Sequence, residues 1–422
     1  MSVLLVSQTD ISGGAARAAY RLHRALLGQG VESRMKVRSK TSDDWTVDGP
    51  GGKAGKLGSL LRPALGGRAM RLQRSANPNL HSGNWLPSAW ARQLNSSQAK
   101  VVNLHWIGGE TLSVADIGRI RKPVVWTLHD MWAFCGTEHC TADDEAARWR
   151  VGYTRANRSP TDAGLDFERM VWKRKRRAWQ HSMHIVAPCR WLADCARASV
   201  LFRDWPISVI PNVLDTQVYR PLDRAFCRQA LGLPDDRQIV LFGAICGTSD
   251  PLKGYDLLLE ALRRLAADRD DLLCVVFGQS MPEHPSDLPV PTRWMGHVHD
   301  DAALALLYNA ADVMAVPSRQ EAFGQTGSEA QACARPVVAF NCTGLPDSVE
   351  HGETGYLARA FDAEDLACGL RWILADAGRR EALGRNARTR ALRLWAPEVV
   401  VPQYLKVYAA AQERPSPPPQ WL

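Results

Sequence analysis

The chain has 422 residues, of which 45% are hydrophobic and 23% charged, and its formal net charge is +8 at pH 7. These values are ordinary for a soluble globular protein. The length allows two or three domains, and no apolar run approaches the ~18 residues that a membrane span requires. The positive charge favours an anionic partner. Because no helix-turn-helix, zinc-finger or RNA-binding motif is present, we predict no nucleic-acid partner.

The N-terminus and the cysteines bear on the cellular compartment. Residues 1–7 have no basic n-region and no cleavage site, so they predict a first strand rather than a signal peptide. The ten cysteines are scattered singly along the chain. This usage predicts free thiols in a reducing compartment, and we expect a cytoplasmic protein.

Strand and helix patterns alternate through the first half. Apolar runs predict strands at 3–7, 32–37, 101–105, 123–129 and 184–187. Helices are predicted at 13–30, 167–181 and 189–198. Residues 41–87 are rich in Gly, Arg and Ser, and they predict loops with one basic, weakly amphipathic segment at 57–72. Residues 143–162 are polar and predict an irregular, mobile loop.

The alternation restarts after a proline-rich stretch at 211–221. Strands are predicted at 239–243, 272–278, 311–318 and 336–340. Helices are predicted at 257–266, 302–311, 327–334 and 402–412. Strands that alternate with helices of this length indicate βαβ units and parallel sheets. We therefore predict an α/β protein of two doubly wound domains with a cleft between them.

Two glutamates, Glu321 and Glu329, follow one predicted strand and have seven residues between them. Glu321 is expected in the loop at the strand's carboxyl end, and Glu329 in the first turns of the next helix. Ligands bind at this position in open α/β sheets. The intervening loop has two glycines that allow close approach of a ligand, and a helix N-terminus favours phosphate. The pattern predicts a ligand with both hydroxyls and phosphates, such as a nucleotide sugar.

The segments 336–347 and 351–357 continue this pattern, and here the chain resembles the family 4 glycosyltransferases. The resemblance is strongest across Val209–Leu357. It implies the GT-B fold, in which two Rossmann-like domains face a central cleft, and transfer with retention of anomeric configuration. By position, it implies that Glu321 contacts the donor sugar's hydroxyls and that Glu329 binds the nucleotide's ribose.

The resemblance also implies a division of the chain. Residues 1–212 are expected to form the acceptor-side domain, completed by a C-terminal helix at about 400–412. Residues 213–399 are expected to bind the nucleotide sugar. The last segment, 413–422, has four prolines and predicts a disordered tail.

Lys253 precedes a predicted helix and is followed by glycine, a position from which a lysine can reach a diphosphate. The resemblance implies that it is the family's phosphate-binding lysine. The family often has an arginine a few residues earlier, but residues 247–249 are Gly-Thr-Ser. We expect Lys253 to stabilise the leaving diphosphate together with the backbone amides of four residues, Phe323, Gly324, Gln325 and Thr326.

Gly13 and Gly14 lie between the first strand and the first helix. Their surroundings do not match GxGxxG, and no acid follows the second strand, so NAD is not expected. The resemblance implies that this glycine loop faces the donor diphosphate and the acceptor. His129, at the end of a strand, is expected to hydrogen-bond or orient the acceptor. His105 is a weaker candidate of the same kind.

The nucleotide base is expected near Met295 and His297, through main-chain contacts that the resemblance implies. Two segments could suggest a metal: an Asp-x-Asp at 268–270, and the Cys, Glu and His residues of 135–140. The first ends a predicted helix before a strand and indicates a solvated turn, and the second has no second pair of ligands at a matching distance. We predict no metal site and no cofactor, with a UDP- or GDP-linked sugar as substrate.

Basic residues of the first domain bear on the acceptor. They form a run at 173–177 and a looser set, Lys53, Lys56, Arg62, Arg68, Arg71 and Arg74. They favour a lipid-linked saccharide acceptor, as in exopolysaccharide or O-antigen assembly, and peripheral contact with the anionic inner face of the cell membrane. A solvated basic face and a soluble acceptor remain alternatives. A nucleotide-sugar epimerase and a non-catalytic nucleotide-sugar-binding protein remain alternatives for the function.

Overall fold

The structure, a computed structural model, describes residues 1–245, 247–282 and 288–413. The chain divides into two compact units, one formed by Met1–Pro211 with the chain from Val401 onward, and the other by Asn212–Val400. These divisions lie one residue from the domain limits expected at 212 and 399. Of the predicted disordered tail, only Glu413 is described, and it ends a helix; residues 414–422 lie outside the described ranges.

The first unit is built on a parallel sheet of seven strands in the order β3-β2-β1-β5-β6-β8-β9, and β4 and β7 form a separate antiparallel pair. The strands are β1 (Ser2–Thr9), β2 (Glu32–Ser39), β3 (Val47–Asp48), β4 (Gln73–Arg74), β5 (Val101–Leu104), β6 (Val124–Thr127), β7 (Ala163–Gly164), β8 (His184–Ala187) and β9 (Ile207–Val209). All four residues of β5 and of β6 are buried. Fully buried, mainly apolar runs of this kind form strands that are covered on both faces.

Seven helices of the first unit lie between these strands. They are α1 (Gly14–Gly28), α2 (Gly52–Met70), α3 (Trp90–Ser96), α4 (Val114–Gly118), α5 (Arg148–Val151), α6 (Phe167–Ala178) and α7 (Arg190–Ala198). Two of them correct the sequence prediction. α2 begins within a segment predicted as loop, because its glycines mask any helical periodicity. α5 falls in the stretch predicted as irregular, where Trp149 is fully buried and anchors the chain.

The second unit has a parallel sheet of six strands in the order β12-β11-β10-β13-β14-β15. The strands are β10 (Gln238–Gly243), β11 (Leu272–Phe277), β12 (Thr292–Trp294), β13 (Val313–Val316), β14 (Val337–Phe340) and β15 (Gly355–Ala358). The helices are α8 (Arg224–Leu231), α9 (Tyr255–Ala266), α10 (Asp301–Ala310), α11 (Gln325–Ala332), α12 (Leu345–Ser348), α13 (Ala363–Leu374) and α14 (Ala377–Trp395). A 3₁₀ turn, Pro251–Lys253, precedes α9.

The last helix, α15 (Pro397–Glu413), belongs to the first unit from Val401 onward. The hydroxyl of Tyr408 donates to Asn103 Oδ1 at 2.7 Å, and the hydroxyls of Tyr404 and Thr127 are 3.3 Å apart. Both tyrosines are buried. This part of the helix is therefore in that unit's core.

The order of strands places a switch point in each sheet. In the first unit β2 and β3 lie on one side of β1, and β5, β6, β8 and β9 lie on the other. In the second unit β11 and β12 lie on one side of β10, and β13, β14 and β15 lie on the other. The predicted pair of parallel α/β domains is confirmed. Ligands of doubly wound sheets bind beyond the carboxyl ends of the strands at such points.

None of the helices within the described ranges is long and apolar enough to cross a membrane.

A buried histidine in α1 predicts acid sensitivity of the fold. His23 hydrogen-bonds Ser33 Oγ at 2.8 Å and Thr46 Oγ1 at 2.7 Å, and burial lowers its pKa from 6.5 to about 4. Between these values the unfolded chain binds the additional proton, so stability falls as pH decreases from about 6.5 to about 4, by at most about 3 kcal/mol. We expect His23→Gln to flatten this decline in urea unfolding measured from pH 7 to pH 4. An equally steep decline in this variant, or an equal flattening in exposed His297→Gln, would contradict the assignment.

Candidate active site

Lys253 and Glu321 meet at the switch point of the second unit. Lys253 ends the 3₁₀ turn that follows β10, and Glu321 lies in the loop after β13. Lys253 Nζ lies 2.6 Å from Glu321 Oε1, and the two side chains are 28% and 20% exposed. Ser318 Oγ donates to the same oxygen at 3.1 Å. Within the described ranges no hydrogen bond reaches Glu321 Oε2, so that oxygen is available to a ligand.

The two loops that provide this ion pair are joined through their backbones. Gly254 has φ +64°, and a Cβ added to it would lie 1.9 Å from the carbonyl oxygen of Pro317. Arg319 donates its backbone N–H to Leu252 O at 2.8 Å and two guanidinium hydrogen bonds to Asp256, at 2.8 and 2.6 Å. Any displacement of one loop therefore displaces the other. Sequence reasoning missed these contacts, because they join residues more than sixty positions apart.

The stretch that departs from the family pattern, Gly247–Ser249, is held by neutral groups. The backbone N–H of Thr248 donates to Gln279 Oε1 at 2.9 Å, and Gln279 Nε2 donates to Thr248 Oγ1 at 2.9 Å. Gln279 follows β11, which no sequence motif covers. Lys253 is the only lysine among residues 212–400 of the sequence.

Glu329 is buried in α11 and has a partner that the sequence did not indicate. The hydroxyl of Tyr308, from α10, donates to Glu329 Oε2 at 2.5 Å. Tyr308 is itself fully buried, and its ring packs edge-on against Phe277. The carboxylate is therefore fixed in position rather than free to rotate. A tyrosine in an apolar helix gives no sequence signal of this role.

The loop between the glutamates differs in detail from its prediction. α11 begins at Gln325 rather than at 327, and Gly324 before it has a left-handed backbone and no side-chain cap. The side chain of Phe323 is buried and packs edge-on against Trp395, so only its backbone could contribute to a site. Gln325 and Thr326 are half-buried. Their N–H groups belong to the first turn of the helix, where no intrahelical acceptor exists.

The segment expected to contact the nucleotide base follows the edge strand β12. The backbone N–H of Met295 donates to Val276 O at 2.8 Å, and Gly296 O accepts from Gly278 at 2.8 Å. These main-chain groups thus extend the pairing with β11, and the main-chain contact of this segment with a nucleotide base remains a prediction. His297 is exposed and stacks on His299. The structure does not join these residues to the Lys253–Glu321 pair by any hydrogen bond among the described residues.

The first unit places its predicted residues at its own sheet's carboxyl edge. Gly13, with φ 93°, follows β1 and caps α1, which begins at Gly14. His129 follows β6, and its Nε2 lies 3.0 Å from Nδ1 of His105, which follows β5. Burial lowers the pKa of His129 to about 4 and that of His105 well below its ordinary value. Both imidazoles are therefore neutral at pH 7, and a hydrogen bond can form between them without either ring being charged.

Asp130, next to His129, is the centre of a network that sequence reasoning missed. Its Oδ2 accepts from Trp106 Nε1 at 2.6 Å and lies 2.6 Å from His139 Nδ1. The other ring nitrogen of His139 is 2.8 Å from Ser82 Oγ. His139 belongs to the segment 135–140, whose Cys, Glu and His residues could suggest a metal site. Across the part of the chain that the structure describes, no three His, Cys, Asp or Glu side chains gather as metal ligands.

Comparison with known protein families agrees with this arrangement of residues. The model for "Glycosyltransferase Family 4" matches residues 12–218, and that for "Glycosyl transferases group 1" matches residues 223–390. Together they cover most of both units. The chain belongs to the family 4 glycosyltransferases. The resemblance inferred from the glutamate motif is thereby confirmed.

Curated relatives match part of this chain. The D-inositol 3-phosphate glycosyltransferase of Geodermatophilus obscurus is 37% identical over 221 residues, which are 49% of this chain and 47% of the relative. That of Stackebrandtia nassauensis is 37% identical over 210 residues, 44% of this chain and 45% of the relative. The chain thus spans about half the length of the curated relatives it matches.

Solved structures of similar fold match almost the whole chain. Sucrose-phosphate synthase from Thermosynechococcus elongatus superposes with a TM-score of 0.67 at 19% identity, over 97% of this chain and 98% of that one. Anabaena HepE in complex with UDP-glucose superposes with a TM-score of 0.64 at 16% identity, over 97% of this chain and all of that one. At these identities the likeness establishes the fold, and the GT-B class predicted from sequence is confirmed.

Proposed function

We propose that the chain transfers a sugar from a nucleotide-sugar donor to a hydroxyl of a saccharide acceptor. One observation supports this more than any other. Lys253 and Glu321 form a partly exposed pair at the switch point of the second sheet. Glu329 lies one helical turn beyond the start of α11. A cation, a free carboxylate oxygen and a helix N-terminus suit a diphosphate that bears a sugar.

In the proposed reaction the second unit binds the donor. The donor diphosphate pairs with Lys253 Nζ in place of Glu321. Lys253 and the first-turn amides of α11 then stabilise the negative charge that develops on the leaving group. Glu321 Oε2 accepts a hydrogen bond from the donor sugar, and Glu329 accepts one from the ribose. We propose that the donor is UDP- or GDP-linked. The family resemblance supports transfer with retention, without a divalent cation and without a cofactor.

The first unit is proposed to bind the acceptor near Gly13, Gly14 and His129. Since His129 is neutral at pH 7, it can accept a hydrogen bond from the attacking hydroxyl without a competing positive charge. We propose a lipid-linked saccharide as acceptor, which places a cytoplasmic protein at the inner face of the cell membrane. The names of the curated relatives favour one other acceptor, a soluble phosphorylated polyol.

Thermal unfolding with nucleotides tests the donor site directly. A ligand present at about a hundred times its Kd stabilises the native state by about 2.7 kcal/mol, which raises the midpoint by roughly 5–10 °C. We expect this shift with UDP or GDP but not with ADP or dTDP, in EDTA as well as in Mg²⁺. Glu329→Gln removes a charged acceptor and should weaken binding about tenfold to a hundredfold.

The matched control is Glu381→Gln, because Glu381 is an exposed glutamate of α14. Its midpoint of thermal unfolding should rise with nucleotide as that of the parent does. Absence of any shift with the four nucleotides would refute the donor site. Interconversion of the donor sugar without an acceptor would instead identify an epimerase, and binding without turnover would identify a non-catalytic binding protein.

A further inference from the structure

The basic run at 173–177 is divided by the fold and is not one cationic face. It lies in α6, where Lys175 is fully buried. Its Nζ donates to the carbonyl oxygens of Trp132 and, at 2.9 Å, Gly136. Burial lowers the pKa of Lys175 to about 7. Arg174 is half-buried over an indole ring. An anionic partner of the first unit is therefore better sought elsewhere.

Helix α2 presents a row of exposed leucines. Side chains three and four residues apart share one face of a helix, and four leucines of α2 have this spacing. Their exposed fractions are 57% for Leu57, 75% for Leu60, 50% for Leu61 and 49% for Leu65. A single exposed leucine is ordinary, whereas several on one face indicate a surface that contacts an apolar partner.

The opposite face of α2 is fixed to the rest of the first unit. Gly66 is buried there, and a Cβ added to it would lie 2.5 Å from Glu110 Cγ. The guanidinium of Arg62 donates to Glu110 O at 2.9 Å and to Pro87 O at 3.0 Å. The helix is therefore held so that its leucine face points away from the unit's core.

The charged residues of α2 have one sign. No aspartate or glutamate occurs between Asp48 and Glu110, whereas the same segment has eight basic residues: Lys53, Lys56, Arg62, Arg68, Arg71, Arg74, Arg92 and Lys100. Within α2, Lys53, Lys56 and Arg68 are exposed. A helix that exposes apolar side chains together with cations and has no acidic residue is complementary to the surface of an anionic bilayer.

We propose that the leucine face of α2 docks this protein on an anionic lipid bilayer. The leucines enter the boundary between headgroups and acyl chains, while the neighbouring ammonium and guanidinium groups pair with lipid phosphates. The surface provides the membrane contact that a lipid-linked acceptor requires, and in this respect the inference rests on the proposed function. Docking itself needs no donor and no catalytic step.

Sedimentation of the whole chain with vesicles tests this docking. We expect partition onto vesicles of phosphatidylcholine mixed with phosphatidylglycerol, little partition onto phosphatidylcholine alone, and release by salt. Leu57→Gln/Leu60→Gln should weaken partition about a hundredfold, roughly tenfold for each leucine. Lys53→Gln/Lys56→Gln/Arg68→Gln should weaken it roughly fivefold for each cation and reduce the salt dependence.

The matched control is Leu165→Gln/Leu392→Gln, which replaces leucines that are 49% and 42% exposed outside this face. It should partition as the parent does, and the nucleotide-induced thermal shift of every variant reports an intact second unit. Equal loss in the control, equal partition onto neutral vesicles, or no partition at all would overturn the proposal. So would a dimer in light scattering that the leucine variant disrupts, because the face would then be an interface between copies. Loss of partition with an unchanged nucleotide shift separates this proposal from that of the donor site.

Discussion

Replacement of Lys253 by methionine is expected to lower the rate of sugar transfer about 10²- to 10³-fold. The variant keeps the length of the side chain and removes the cation that lies 2.6 Å from Glu321. Because Lys253 is the only lysine of residues 212–400, no neighbouring lysine of the second unit can replace it. The measurement is steady-state release of nucleoside diphosphate from the donor that the thermal shift identifies.

Three companion variants make this result specific. Lys253→Arg keeps a positive charge and should retain part of the activity. Glu321→Gln keeps the shape of the carboxylate and should reduce transfer while nucleoside diphosphate still binds, because its proposed contact is with the sugar. Lys406→Ala, an exposed lysine of α15, should leave turnover unchanged. Turnover of Lys253→Met within about threefold of the parent would remove the lysine from the mechanism.

Replacement of Asp312 by alanine is expected to destabilise the second unit by about 3–5 kcal/mol. Asp312 precedes β13, is 1% exposed, and accepts from Arg228 at 2.7 Å, from Arg224 at 2.6 Å and from the backbone N–H of Ile239 at 2.8 Å. Arg228 is only 2% exposed, so the variant leaves a buried guanidinium without its counter-charge. Urea unfolding should show a lower midpoint.

Two controls separate burial from charge in this cluster. Asp312→Asn keeps an acceptor oxygen and should lose less stability than the alanine variant. Glu260→Ala removes an exposed partner of Arg264, and such pairs contribute less than about 1 kcal/mol. A loss below about 1 kcal/mol for Asp312→Ala would mean that Arg228 finds other acceptors.

The sequence indicated the strands, their parallel arrangement and the positions of Lys253 and Glu321, because these follow from apolar runs and from the loops that end them. It did not indicate Tyr308 as the partner of Glu329, or Asp312 as a buried counter-ion. Both contacts join residues from different elements, and only packing of the chain defines them. The run at 173–177 is a similar case, because a run of basic residues in the sequence does not indicate that Lys175 is surrounded by carbonyl oxygens.

The close approach of Gly254 to Pro317 bears on any attempt to redesign donor choice. A side chain at position 254 would collide with the backbone of the neighbouring loop. The ion pair between Arg319 and Asp256 joins the same two segments. If only one of these two loops were taken from a relative, it would pack against the other loop of this protein, which fits a different partner. Segments 250–256 and 317–321 therefore form one transplantable cassette, and recombination between relatives should preserve function only when both segments come from the same parent.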